Sequence, residues 1–107
     1  MKRYKVEFLP SAKQDLRASF NWGVSVWGKT QAAQWLRKFS ATCTKRLAQF
    51  PESCPIAPES EELGRDVRHL IIARYRVLFI IQGNTVSILY VRGSYLGTMA
   101  NEPDEEE

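Results

Sequence analysis

The sequence contains few of the residues that build metal centres and disulfide frameworks. Its 107 residues include one histidine and two cysteines. The cysteines, Cys43 and Cys54, are eleven positions apart with no second pair, so neither a zinc site nor a disulfide framework is indicated. We therefore expect no metal and no cofactor, and we interpret both cysteines as ordinary thiols.

The chain also lacks a long apolar run. No stretch approaches the roughly 20 residues that span a bilayer, and the first residues alternate charge with apolar side chains, unlike a secretory signal. We expect a cytoplasmic protein with no membrane partner. The length allows one domain, and a hydrophobic content of 44% is enough for one modest core.

Acidic residues are scarce outside the C-terminal end. The formal net charge is +3, but five of the twelve acids lie within residues 102–107, so that residues 1–101 carry 15 basic residues against 7 acidic ones, or about +8. Such a charge is typical of a protein that meets phosphate or an acidic protein partner. We expect a folded domain over residues 1–97 and an acidic, disordered tail over residues 98–107.

Hydrophobic periodicity predicts one strand followed by a helical hairpin. Alternation over residues 3–8 indicates a strand with one buried face. Apolar residues spaced by three and four predict helices over residues 12–27 and 31–50, and the Ser11–Gln14 stretch fits a capping box for the first helix. Residues 51–64 contain three prolines and no apolar period, and are interpreted as a surface loop.

The last third of the chain predicts three antiparallel strands, over residues 67–72, 75–82 and 85–92. A two-residue turn at 83–84 fixes the register of the last two strands. That register predicts three facing pairs on an apolar face, which is the expected seat of the helices: Ile81 with Val86, Phe79 with Ile88, and Val77 with Tyr90.

The opposite face of these strands is mixed in polarity. A two-residue turn at 73–74 would bring His69 beside Arg76 on this face, whereas a turn of odd length would bring Arg68 there instead. A sheet with one covered face and one partly apolar open face is expected to bind a partner. The predicted fold is a single α+β domain of order β-α-α-β-β-β, with a helical hairpin packed on a small antiparallel sheet. The open face is expected to contain Arg76, Leu78, Ile80, Ser87 and Leu89.

Four stretches of sequence carry a family resemblance. They are Phe8-Leu9-Pro10-Ser11-Ala12-Lys13-Gln14-Asp15-Leu16, Val67-Arg68-His69-Leu70, Arg74-Tyr75-Arg76-Val77-Leu78-Phe79 and Val86-Ser87-Ile88-Leu89-Tyr90-Val91. With the element order, they resemble the RelE/ParE superfamily of toxins from type II toxin–antitoxin systems, in which a Tyr-Arg-Val step opens the central strand. The resemblance covers residues 4–96 and implies a growth inhibitor that a cognate antitoxin neutralises.

Members of this superfamily differ in target: RelE-like proteins cut messenger RNA on the ribosome, and ParE-like proteins block DNA gyrase. The RelE-like cleavage set consists of several Lys and Arg on the open sheet face, with an aromatic or basic group near the C-terminus. Arg76 matches the arginine of this set on the central strand. Arg92 and Tyr95 are candidates for the group near the C-terminus, but neither matches the family position for position. The strand before Arg76 lacks the usual pair of bases two residues apart, because Leu70 follows Arg68 at that spacing.

The resemblance therefore favours a ParE-like, non-enzymatic toxin that binds DNA gyrase. The alternative is a RelE-like, ribosome-dependent endonuclease of messenger RNA, with Arg76, Arg92 and Tyr95 as its catalytic residues. In either case the partner is a cognate antitoxin, with gyrase, or the ribosome and its messenger, as the target. The residues expected to contact the antitoxin or the target are Arg68, His69, Arg74, Arg76 and Arg92.

Overall fold

A computed structural model describes residues 3–93. Every predicted helix and strand is present, and its bounds lie within two residues of the predicted ones. Tyr95 and the tail predicted over residues 98–107 lie outside the described residues. The elements are β1 (Lys5–Phe8), α1 (Pro10–Trp27), α2 (Lys29–Gln49), a 3-10 turn (Pro51–Ser53), α3 (Ser60–Leu63), β2 (Arg68–Ile72), β3 (Tyr75–Gln82) and β4 (Thr85–Gly93).

Helix α1 begins earlier than predicted and without a capping box. Pro10 occupies the first turn, where its missing N–H would have no helical partner. The Ser11 hydroxyl donates to the Leu89 carbonyl at 2.6 Å, and the Leu9 amide donates to the Ile88 carbonyl at 3.0 Å. The predicted capping box is thus wrong, because the Ser11 hydroxyl bonds to β4 and not to a free backbone N–H of α1.

The two helices form the predicted hairpin and pack closely. Gly28 joins them with φ 96°, a backbone conformation that residues other than glycine rarely adopt. Gly23 lies within α1 facing α2, and a Cβ atom placed there would be 3.0 Å from the Trp27 ring and 3.3 Å from the Ala32 Cβ. A side chain at position 23 would therefore require Trp27 and Ala32 to shift by a few tenths of an ångström.

The sheet is mixed, so the prediction of a wholly antiparallel sheet is wrong in one pair. The strand order is β1-β4-β3-β2, and β1 pairs with β4 in parallel while the other pairs are antiparallel. Helix α2 returns the chain to the start of β1, where the Tyr4 amide donates to the Ala48 carbonyl at 2.9 Å. Strand β2 consequently starts at the same end of the sheet as β1. Because β3 reverses the direction and β4 reverses it again, β4 runs parallel to β1.

One face of the sheet, called here the helix face, packs against the hairpin and forms the main core. Its residues pair as predicted at Ile81 with Val86 and at Phe79 with Ile88. Trp35 of α2 extends this core, stacking 5.4 Å from Phe39. The buried members at its centre are Phe39, Cys43, Leu47, Val77, Phe79, Val86, Ile88 and Val91.

The third predicted pair is wrong because β4 contains a β-bulge. The register shifts between Leu78 and Phe79, so that Leu89 is an extra residue and Val77 pairs with Val91 instead of Tyr90. The Val91 amide donates to the Asp15 carboxylate of α1 at 2.8 Å. From the bulge onward, residues of β4 change faces.

Candidate functional site

The face of the sheet opposite the helices, called here the open face, brings together three of the predicted site residues. Arg76 and Arg92 are direct partners on β3 and β4. His69 of β2 lies on the same face, because the turn at 73–74 has two residues and pairs Ile72 with Tyr75. The prediction that His69 joins Arg76 is confirmed.

Arg92 owes its position to the bulge. If the pairing that begins at Gln82 and Thr85 continued without a shift, Arg92 would face Tyr75 on the helix face. On the open face its guanidinium carbon instead lies 4.7 Å from the centre of the Tyr90 ring, within the range of a cation–π contact. The Arg92 side chain is exposed.

Each of the three guanidinium nitrogens of Arg76 contacts a neighbouring side chain. Nη1 donates to Oε2 of Glu59 at 2.7 Å and Nη2 donates to Oε1 at 3.0 Å, which is a two-pronged ion pair. Nε lies 3.3 Å from Nδ1 of His69, and Nη2 lies at the same distance from that nitrogen. The predicted site arginine is therefore held by a carboxylate of its own chain.

The electrostatics of this group follow from the ion pair. Hydrogen bonds from Arg76 lower the pKa of Glu59 from 4.5 to about 2, and the charge of Arg92 adds a smaller effect in the same direction. The hydrogen bonds to Glu59 also raise the pKa of Arg76 above its usual value. The pair keeps its two charges at every pH from mild acid upward.

Glu59 belongs to residues 55–64, called here the covering segment, which was predicted to be a surface loop. The Ala57 amide donates to the Val67 carbonyl at 2.7 Å, and the His69 amide donates to the Pro55 carbonyl at 3.1 Å. The Ser60 hydroxyl both donates to and accepts from the backbone of Val67, at 3.0 and 2.9 Å. The segment is thus fastened to the free edge of β2.

The covering segment also closes the open face over Leu78 and Ile80. Ala57 packs with Val67, Leu78 and Ile80 in a second, smaller core in which every member is at most 4% exposed. The prediction of an open sheet face is therefore wrong at Leu78, Ile80 and Ser87, which are buried. It is correct toward Arg76 and Arg92, whose side chains keep exposure to solvent. The sequence analysis missed Glu59, although four of the seven acids in residues 1–101 lie in or just before this segment, and that concentration was the available signal.

The other two predicted contact residues lie elsewhere. Arg68 pairs with Phe79 and so belongs to the helix face, which also removes the odd-length turn as an alternative. Its Nη1 donates to the carbonyl oxygens of Cys54 at 2.6 Å and Glu52 at 3.2 Å, so it braces the chain before the covering segment. Arg74 lies exposed in the β2–β3 turn.

A second surface feature is a groove between α1 and α2. It has a volume of about 300 Å³, an apolar floor and a basic rim. Such a groove suits an amphipathic segment, because apolar side chains can fill the floor while acidic ones meet the rim. The lining residues are Lys13, Leu16, Arg17, Phe20, Leu36 and Ser40.

Within residues 3–93 no three His, Cys, Asp or Glu side chains come together in a way that could hold a metal ion. No helix in that range is both long enough and apolar enough to cross a bilayer. Cys43 and Cys54 are buried free thiols, and burial raises the pKa of Cys43 to about 12. Burial also raises the pKa of Cys54, and both thiols are therefore poor nucleophiles, because the thiolate is the reactive form.

Comparison with known proteins identifies the relatives of this domain. The family model of the ParE toxin of type II toxin–antitoxin systems, parDE, matches residues 6–94. A solved structure of the chromosomal ParDE toxin–antitoxin system of Pseudomonas aeruginosa superposes with a TM-score of 0.69 at 22% identity, over 85% of this chain and 96% of that one.

A second structure, the RelBE2 toxin–antitoxin complex of Mycobacterium tuberculosis, gives a TM-score of 0.64 at 22% identity, over 87% of this chain and 93% of that one. No curated protein sequence matches this chain. At these identities the two structures establish the fold.

Proposed function

The chain belongs to the ParE toxin family of type II toxin–antitoxin systems, and from this membership we propose that it arrests growth by binding and blocking DNA gyrase in the cytoplasm. The toxin acts as a binding protein and not as a nuclease. The observation that carries this choice is the ion pair of Arg76 with Glu59.

RNA cleavage through a 2′-hydroxyl requires a proton acceptor, a proton donor and cations around the phosphate. Arg76 is the residue whose family counterpart would supply such a cation. Its guanidinium group binds a planar carboxylate in a two-pronged ion pair, and the nitrogen Nδ1 of His69 is engaged with Arg76. Within the described residues the arrangement favours recognition of carboxylates over phosphate cleavage.

The same surface chemistry supports neutralisation by an acidic antitoxin. The groove between the helices offers apolar contact beside Lys13 and Arg17, and residues 1–101 carry about +8. Opposite charge speeds the encounter of two proteins and selects the partner. An antitoxin with an acidic amphipathic segment fits both features.

Two assays on purified protein test the proposal. Supercoiling by gyrase should fall as toxin is added and recover when the cognate antitoxin is included. Messenger RNA on programmed ribosomes should stay intact in the same concentration range. Cuts at codon positions with unchanged supercoiling would contradict the proposal and identify the endonuclease instead.

A further inference from the structure

We infer that Glu59 is an internal substitute for a partner's carboxylate: in the free chain it pairs with Arg76, which lies beside His69 and Arg92, and an acidic protein segment displaces it. The inference rests on the proposed function in one respect, namely that the partner is a protein. It adds that a carboxylate of the partner replaces Glu59 at Arg76.

The geometry of the pair identifies the chemical class of the ligand. Both carboxylate oxygens of Glu59 meet separate guanidinium nitrogens of Arg76, at 2.7 and 3.0 Å. This fork is the arrangement in which arginine binds a planar carboxylate, and lysine cannot reproduce it. An incoming aspartate or glutamate can make the same two bonds in the same place.

The charges show that Glu59 leaves the site incompletely neutralised. Arg76 and Arg92 are direct cross-strand partners, an arrangement of like charges that destabilises a sheet. Glu59 forms its two-pronged ion pair with Arg76, while Arg92 lies exposed against the Tyr90 ring. A segment with two neighbouring carboxylates would neutralise both arginines, and this is the advantage that drives the exchange.

The attachment of the covering segment makes the exchange feasible. Ala57 and Ser60 hold the segment to Val67, just before β2, and Pro55 accepts a bond from His69 of β2. None of these bonds involves Arg76. The side chains of Arg76 and Glu59 are 33% and 22% exposed, so a partner can reach the pair from solvent. Glu59 can therefore rotate away while the second core stays packed.

The test measures binding of a hexaglutamate peptide to the full chain at low ionic strength, where such contacts are least screened. E59Q removes the internal competitor, and E62Q is the matched control because Glu62 carries the same charge on α3 and is exposed. We expect E59Q to bind about fivefold more tightly than E62Q, which corresponds to about 1 kcal/mol. The double variant E59Q/R76Q should lose this gain.

Equal affinities of E59Q and E62Q would overturn the inference and leave Glu59 as a structural tie. The same comparison with hexauridylate distinguishes a carboxylate from a phosphate ligand. If E59Q binds this oligonucleotide more tightly than E62Q does, with no such difference for hexaglutamate, the assignment to carboxylates is overturned. Neither arm contains gyrase, so a failure of the proposed function in the supercoiling assay leaves this result intact.

A measurement on the unaltered protein covers the case in which E59Q does not fold. Titration with hexaglutamate should move the NMR signals of the Arg76 Nε–H and the Glu59 amide together, with one apparent affinity. Signals that stay in place at saturating peptide would overturn the inference.

Discussion

The helix face and the open face of the same sheet are held together in different ways. On the helix face, Val77, Phe79 and Ile88 are fully buried beneath two long helices. On the open face, a ten-residue segment contributes Ala57 to a core of four buried residues, and beside that core the contacts are charged. Apolar burial therefore stabilises the fold from one side, while the other side presents groups that can change partners.

The largest expected effect is on the helix face. Phe79→Ala removes the largest fully buried side chain and should lower the free energy of unfolding by about 3–5 kcal/mol. Denaturant titration measures the loss, and Ile71→Ala is the control, since Ile71 is 59% exposed on β2. A loss under 1 kcal/mol for Phe79→Ala would contradict the assignment of most of the stability to the helix face.

The bulge in β4 decides which of its residues lie on each face, and the hydrogen bond from Val91 to Asp15 beside it can be removed by one substitution. Asp15→Ala deprives the Val91 amide of its acceptor and should cost about 1–3 kcal/mol, the range for an unpaired buried donor. Denaturant titration again gives the value, with Arg17→Ala on the same helix for comparison. If Asp15→Ala is as stable as the parent, the bulge is maintained by strand pairing without help from α1.

Arg76 should separate function from stability. Arg76→Ala is expected to reduce growth inhibition strongly while lowering stability by at most about 1 kcal/mol, because the ion pair is partly exposed. Arg76→Lys should restore only part of the toxicity, since an ammonium group cannot form the fork. Colony counts after induction and thermal melts measure the two effects, and full toxicity of Arg76→Ala would exclude this residue from the site.

The smallest effect is a pH dependence of the Glu59 contribution. Its pKa is depressed in the folded protein, to about 2 from 4.5, so the stabilisation is complete above about pH 4.5 and disappears as the pH falls toward 2. The difference in melting temperature between the parent and E59Q should thus be constant from pH 7 to 5 and shrink below that. A constant difference down to pH 2 would show that Glu59 acts through packing.

Local patterns in the sequence determined much of this protein. Apolar spacing predicted both helices, and the two-residue turn at 83–84 set the pairs Ile81 with Val86 and Phe79 with Ile88. A second two-residue turn placed His69 beside Arg76. Each of these features depends on residues within one element or one turn, which is why periodicity and turn length were sufficient.

Only the tertiary structure decided what surrounds Arg76. The bulge that brings Arg92 to the open face is joined to Asp15, 76 positions away from Val91, and Glu59 reaches Arg76 across 17 positions. The parallel pairing of β1 likewise depends on where α2 returns the chain. Contacts of this kind join residues of different elements, so no pattern within one element encodes them, and the chemistry of the site depends on them.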